Sequence, residues 1–449
     1  MSEVIESKRL RVRGNAHYQG ASAPGLAPVL VEARLKDAIR LYYQAETAAG
    51  RNILSRASAH KNLAMAHARL FEAHVRRYTA RVGAAGASDA LPAAEQRMLT
   101  HYALTSMRSF ASARLDGLQA HGSHATWTIR LMIEAGRVAS EMAEALGTIE
   151  PRRSKRACIL GSWIQTLRGE NPVPDTIAHL AMAQRRVLFR EAVQAHSQEK
   201  LSDALSILGE AEEADSTAQQ AAQKACRLHA EDLAELRIGS EEIHIQGRVI
   251  RSLHMIREGL RLEQSALWDD ENLLMDLVWD SVDAYHEAIF VSDGADLAQE
   301  AEAIARLGII YSKILKQPVR GKNYCVKALN LASSLHPRVF TFVPWHQTAS
   351  DIVKAYQEEL VARERSAWEA KRKPYLEKLA PELKKLEEAS TEGLDSLIDM
   401  IYDKHPPLNK KHTKPTAEGK KRIQHAIRHY HPDKGNVSEE TKVLLEEIY

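Results

Sequence analysis

Five consecutive residues near the end of this chain, Tyr430-His431-Pro432-Asp433-Lys434, combine side chains that could do chemistry. Pro432 fixes its own φ and biases His431 away from helix, so a helix running up to Tyr430 must stop there. The Asp433 carboxylate is then held outside regular structure, where it can accept charge-assisted hydrogen bonds from a cation on another molecule. Upstream, Ile423, Ala426, Ile427 and Tyr430 fall at helical positions 0, 3, 4 and 7. The remaining positions carry Lys420, Lys421, Arg422, His425, Arg428 and His429. One face is expected to pack inward; the other is a cationic strip that would steer toward an acidic surface with salt-dependent strength. His425 and His429 are also spaced i, i+4, with His431 close by, and such imidazoles suit a metal. Asp433 alone is at hand to complete that set, and basic surroundings repel a cation, so no metal site is expected.

The elements that must position these residues are readable. Leu394, Leu397, Ile398 and Ile401 form a second 0, 3, 4, 7 stripe, ended by Pro406-Pro407. A lysine-rich loop, Leu408 to Gly419, leads into the basic helix. Beyond the His-Pro-Asp turn, Ser438 is placed to cap a last helix, with Glu439 and Glu440 suiting its first turn. Leu444, Leu445 and Ile448 supply its packing face.

On these residues, about Leu394 to Tyr449 resembles a J domain, the module that stimulates the ATPase of heat-shock seventy-kilodalton (DnaK-class) chaperones. The resemblance implies that Asp433 engages an arginine of the partner ATPase. It gives His431 and Pro432 loop-shaping and contact roles, and makes Tyr430, Lys434, Lys420, Lys421, Arg422, His425 and Arg428 the docking face. The loop before the basic helix is longer and more basic than is usual in the family. The last helix has only about three turns before Tyr449, so a truncated or marginally stable module is expected. The Gly/Phe-rich and zinc-binding segments of larger J proteins are absent, which points to the class holding the J module alone.

The rest reads as helix after helix, without a useful alternating strand pattern. Lys8 to Tyr18, an insertion from Gly20 to Pro28, and Leu35 to Ala45 together resemble a tetratricopeptide repeat. Gly14 is the small residue of its first helix; Ala38, Tyr42 and Ala45 belong to the second. Ala59 to Leu70, with Ala64, resembles another first helix. Ala301 to Pro337 is the best single match: Leu307, Gly308 and Tyr311 in one helix, Ala328, Leu329 and Leu331 in the next. Ala192, Ala204 and Ala211 suggest a weaker unit. Stacked pairs of this kind must share a core, since each buries only one face alone. One subclass of these repeats grips C-terminal carboxylates of heat-shock chaperones, and by that resemblance Arg11, Asn15 and Asn62 would hold a peptide carboxylate.

The expected fold class is all-α: a tetratricopeptide-like array followed by a small C-terminal J-domain hairpin. The expected organisation is repeats over 1–82, helices of unclear type over 83–184, repeats over 185–348, a charged helical linker over 349–390 and the J domain over 391–449. A length of 449 residues exceeds one ordinary domain, and a net charge of +2 argues against a general nucleic-acid binder. Cys158, Cys226 and Cys325 form no CxxC pair, so neither zinc nor a disulfide framework is suggested. No signal peptide or membrane-length apolar run is present, and cytosol or nucleus is the expected location. No local constellation for catalysis and no cofactor motif is found. The expected function is that of a co-chaperone, not an enzyme, whose repeats bind a client or a chaperone-tail peptide. The alternative is an interaction scaffold carrying a degenerate J module.

Overall fold

A computed structural model describes residues 2–85, 91–123, 125–170, 172–225, 228–266, 273–407, 412–416, 419–431 and 438–448. Among them the chain is all-α. The helices are α1 (Ser2–Gly20), α2 (Pro28–Ala49), α3 (Ile53–Ala85), α4 (Ala93–His121), α5 (Thr126–Ile149), α6 (Arg153–Arg168), α7 (Pro174–Ser197) and α8 (Leu201–Lys224). They continue with α9 (Ala230–Ala266), α10 (Met275–Ser292), α11 (Leu297–Ile309), a π-helical turn (Ile310–Ile314), α12 (Pro318–Ser334) and α13 (Pro344–Glu392). The last three are α14 (Leu394–Lys404), α15 (Lys420–His429) and α16 (Glu439–Ile448). The boundaries follow local chemistry. Prolines open α2, α7 and α13, where a missing N–H costs nothing. Gly50 and Gly122 close α2 and α4 at positive φ.

The chain divides into two compact units. Unit 1 comprises Met1–Arg306 with Leu331–Arg338; unit 2 comprises Leu307–Asn330 with Val339–Tyr449.

In unit 1, α1 and α2 pack closely because Gly14 leaves room for Tyr42. A Cβ at Gly14 would lie 2.5 Å from the Tyr42 ring. The Ser7 hydroxyl donates to the Ala45 carbonyl at 2.7 Å, and Ala38 and Ala45 are fully buried. The main apolar core runs from α3 to α9 and includes Phe71, Phe110, Leu131, Trp163 and Leu180. Trp163 is fully buried, its indole N–H reaching Thr100 Oγ1 at 3.2 Å, as expected of a core tryptophan. Ala192, Ala204 and Ala211 sit in a second cluster with Leu208 and Ile250.

Polar groups inside unit 1 are tied across helices. The buried Arg185 donates to Asp215 at 2.8 Å and to the carbonyls of Leu236 and Glu235 at 3.0 and 3.1 Å. A paired and hydrogen-bonded guanidinium offsets its loss of hydration, which an isolated one would not. On α3 three histidines recur every seven residues. His60 lies between Glu46 and Asp116, and His74 between Glu32 and Glu95. His67, in the middle, faces the rings of Tyr43 and Tyr102, and neither ring nitrogen has a hydrogen-bonding partner among the described residues.

Burial, with a smaller contribution from His101, lowers the His67 pKa to about 4. The folded state therefore resists a proton that the unfolded chain takes up near its ordinary value. Stability is full above pH 6.5 and falls as the pH drops from there toward 4, by about 3 kcal/mol in total. Chemical denaturation at stepwise pH should show this slope in wild type, and His67→Leu should lack it.

In unit 2, Gly308 allows the close approach of α12. A Cβ there would lie 2.6 Å from Cys325 Sγ and 3.0 Å from the Gly321 carbonyl. Burial pushes the Cys325 thiol up to about 11, so it behaves as a small apolar residue. The Tyr311 and Tyr324 rings stack at 5.5 Å, and the Arg320 guanidinium lies over Tyr311. Helix α13 has 49 residues, about 74 Å at the usual rise. Trp345, Ala349 and Ile352 bury its start and Leu379, Leu386 and Ala389 its end, while 357–371 are exposed throughout. It continues through Pro374 and Pro381, joining into one helix the two charged stretches that flank Pro374 in sequence.

Candidate functional site

The His-Pro-Asp segment follows directly on a small core in unit 2. Ile398, Ile401 and Tyr402 of α14, Tyr430 after α15, Leu445 of α16 and Leu386 of α13 are buried together, with Leu397, Ile423, Ala426 and Leu444 partly buried against them. Tyr430 is 3% exposed. Its hydroxyl donates to the His405 carbonyl at 2.6 Å, which ties the end of α15 to the end of α14. Its ring meets Tyr402 edge-on at 5.1 Å. Burial, then the neighbouring Tyr402, raise the Tyr430 hydroxyl pKa well above the ordinary phenol range. His431 follows, half-buried. Pro432, Asp433 and Lys434 lie outside the described residues. Beyond them, the Ser438 hydroxyl accepts from the Thr441 N–H at 3.2 Å, so Ser438 caps α16 as expected.

Two apolar stripes differ from expectation. Leu394 is exposed because it opens α14 directly after Gly393, beyond the reach of the core. Ile427 is exposed among the cations of α15, so only Ile423, Ala426 and Tyr430 face inward. The core also draws in Leu383 and Leu386 of α13, residues that the sequence reading assigned to a linker.

The cationic strip is corrected at one position. Lys420, Lys421, His425 and Arg428 are exposed on α15. Arg422 instead turns to α14, where its guanidinium pairs with Asp395 at 2.8 Å and also with Asp399. From the loop, Lys414 reaches Asp399 at 2.9 Å and Asp403 at 3.4 Å. Asp395, Asp399 and Asp403 are spaced every four residues and so share one face of α14. The sequence reading missed this ladder and its pairing with Arg422; the four-residue spacing of the aspartates was the signal that could have found it. The Lys414 ammonium, joined by Arg422, holds the Asp399 carboxyl below its usual range. A depressed carboxyl contributes stability above its unfolded pKa and loses it as the pH falls through the folded value. Arg422→Gln should therefore speed amide exchange in α14 and α15, most at low salt and least once the pH has fallen below the depressed value of the folded Asp399 carboxyl.

Among the described residues the α15 histidines are engaged with aromatic neighbours. The Tyr402 hydroxyl lies 2.5 Å from His429 Nδ1, and the His412 ring stacks on His429 at 4.1 Å. The rings of His425 and His429 stand 6.2 Å apart, edge to face. Among the described residues no three His, Cys, Asp or Glu side chains are grouped to hold a metal ion.

In unit 1, Asn15 and Asn62 do come together. Asn15 Oδ1 accepts from the Tyr42 hydroxyl at 2.8 Å and from the Asn62 amide at 3.2 Å. Arg11 is one turn earlier on α1. Its Nε is buried without a hydrogen-bonding partner among the described residues, and burial lowers its guanidinium pKa. Elsewhere along α1 and α3, and joined by α5, Tyr18, Met65, Phe71, Val138 and Met142 line a cavity of about 500 Å³. Arg69 lies over the Tyr18 ring at 4.6 Å and donates to the Tyr18 carbonyl at 3.0 Å. Sequence reasoning missed this cavity, because its wall comes from helices more than a hundred residues apart.

Among the described residues no helix is long and apolar enough to cross a membrane. No family model matches the chain, and no curated protein is similar to it.

Proposed function

We propose that this protein is a co-chaperone. Its C-terminal helices α14 to α16 act as a J domain that stimulates ATP hydrolysis by a heat-shock seventy-kilodalton chaperone of the DnaK class. The helices of unit 1 and the α11–α12 pair act as tetratricopeptide-like repeats that bind a client or partner. The observation that carries this reading is Tyr430. Buried and hydrogen-bonded to the end of α14, it fixes where α15 stops, and the His-Pro-Asp segment begins at the next residue.

Asp433 is the contact to the partner's arginine, supported by His431, Pro432 and Lys434. Lys420, Lys421, His425 and Arg428 attract an acidic partner face. Arg422 serves the module internally. The approach of the Asn15 and Asn62 side chains supports a capture role for the repeats, with Arg11, Asn15 and Asn62 holding a peptide carboxylate. The protein is not itself an enzyme in this reading, and it works in the cytosol or nucleus.

The test is single-turnover ATP hydrolysis by a DnaK-class chaperone with increasing amounts of the full chain. A saturable rise in rate is expected. An unchanged rate would leave the other reading, a repeat scaffold with a degenerate J module.

A further inference from the structure

Between α5, α6 and α7 of unit 1 lies a cavity of about 190 Å³ lined by four arginines, Arg153, Arg156, Arg186 and Arg190, against one carboxylate, Glu144. We propose that it is a binding site for a small phosphate-bearing ligand. The proposal rests on unit 1 alone and is independent of the co-chaperone reading.

The cations are poorly compensated from within the protein. Arg153 uses its guanidinium on neutral acceptors, the Arg190 carbonyl at 3.1 Å and Gln194 Oε1 at 2.8 Å. Arg186 pairs with Glu235 at 3.3 Å. Arg156 and Arg190 form no salt bridge among the described residues, and Arg156 Nε is buried there without a hydrogen-bonding partner. The fully buried Glu150 is within 3.6 Å of Arg152 and of Lys155. Burial, then the like charges of Arg153 and Arg190, lower the Arg156 pKa; Glu150 and Glu191 offset only part of this. Guanidiniums brought together against their own repulsion are the arrangement an anion would relieve.

The local backbone points the same way. Arg152 is the N-cap of α6, and Arg153 and Arg156 stand in its first turn. That is the positive end of the helix, where cations are disfavoured and anions favoured. Gly147 of α5 makes room for the cluster, since a Cβ there would lie 2.9 Å from Arg156 Nη1.

Chemistry and size select the ligand. Several planar forks present more donors than one carboxylate can accept, whereas a phosphate dianion has enough oxygens to engage them. The volume is below the range of pockets for drug-sized ligands, so it suits a phosphoryl group on a short body and leaves a nucleoside outside. Free phosphate and a short phosphomonoester share this chemistry.

The experiment is isothermal titration of the full chain at low salt with inorganic phosphate and, separately, with glycerol phosphate, paired with thermal melting. One-site saturable binding is expected. Arg156→Gln and Arg190→Gln should each weaken it at least about tenfold. Without phosphate, Arg156→Gln should melt at or above wild type, because it removes a repelled cation; with phosphate the order should reverse. Tighter binding of glycerol phosphate identifies a phosphomonoester as the ligand, and equal binding identifies free phosphate. Absence of saturable binding by both probes, or wild-type affinity in both variants, would overturn the proposal. So would an Arg156→Gln protein that melts below wild type without phosphate, since the arginines would then be holding the fold.

Discussion

Asp433→Asn is expected to reduce stimulation of a DnaK-class ATPase to background while the chain melts as wild type does. The substitution keeps the size and shape of the side chain and removes its charge. Tyr430, which ends α15 just before this segment, is held by the His405 carbonyl and not by the Asp433 carboxylate. A hydrogen bond to a charged group contributes about 1.5–3 kcal/mol, which is roughly ten- to a hundredfold in affinity. The measurement is single-turnover hydrolysis over a titration of each protein, with circular dichroism on both. If the Asn protein stimulates as well as wild type, Asp433 is not the contact and the proposed mechanism fails.

The second large effect is Tyr430→Ala. It deletes a ring that is 3% exposed and packed on Tyr402, and it removes the hydroxyl that joins α15 to the His405 carbonyl. Removing a buried aromatic side chain costs about 3–5 kcal/mol. A core as small as the one around Ile398, Ile401 and Leu445 has about that much to lose. Amides of α14 and α15 should then exchange as in an unfolded chain, while those of α3 and α4 keep their protection. Tyr430→Phe keeps the ring and loses one buried hydrogen bond, about 1–2 kcal/mol, and should stay folded. On the proposed function, Tyr430→Ala should abolish stimulation by unfolding the module, whereas Asp433→Asn should abolish it in a folded one. Wild-type protection in Tyr430→Ala would show that the ring does not hold this module together.

Much of the helical framework was legible because it follows from neighbours in sequence. The stripe at Leu397, Ile398 and Ile401 records a period that a helix must bury on one side, and those residues are the ones drawn into the core. Gly14, read through the repeat resemblance as the small residue of its helix, leaves room for Tyr42, and Ser438 was read as a cap. Leu394 and Ile427 fit the same period and are exposed. Periodicity gives the direction of a side chain around its helix, not how far the partner helix extends to cover it.

By itself, then, the sequence determined the all-α class and the inward face at Leu397, Ile398 and Ile401, because these depend on contiguous patterning. Only the tertiary structure decided which charges are free. Arg422 looked like its neighbours Lys420 and Lys421 until α14 brought Asp395 and Asp399 against it. Arg153, Arg156, Arg186 and Arg190 come to one cavity only where α6 and α7 pack with α5. His67 and the cavity beside Tyr18 were decided in the same way. Coulomb and desolvation energies depend on distance and burial, and a linear sequence fixes neither between residues far apart in the chain.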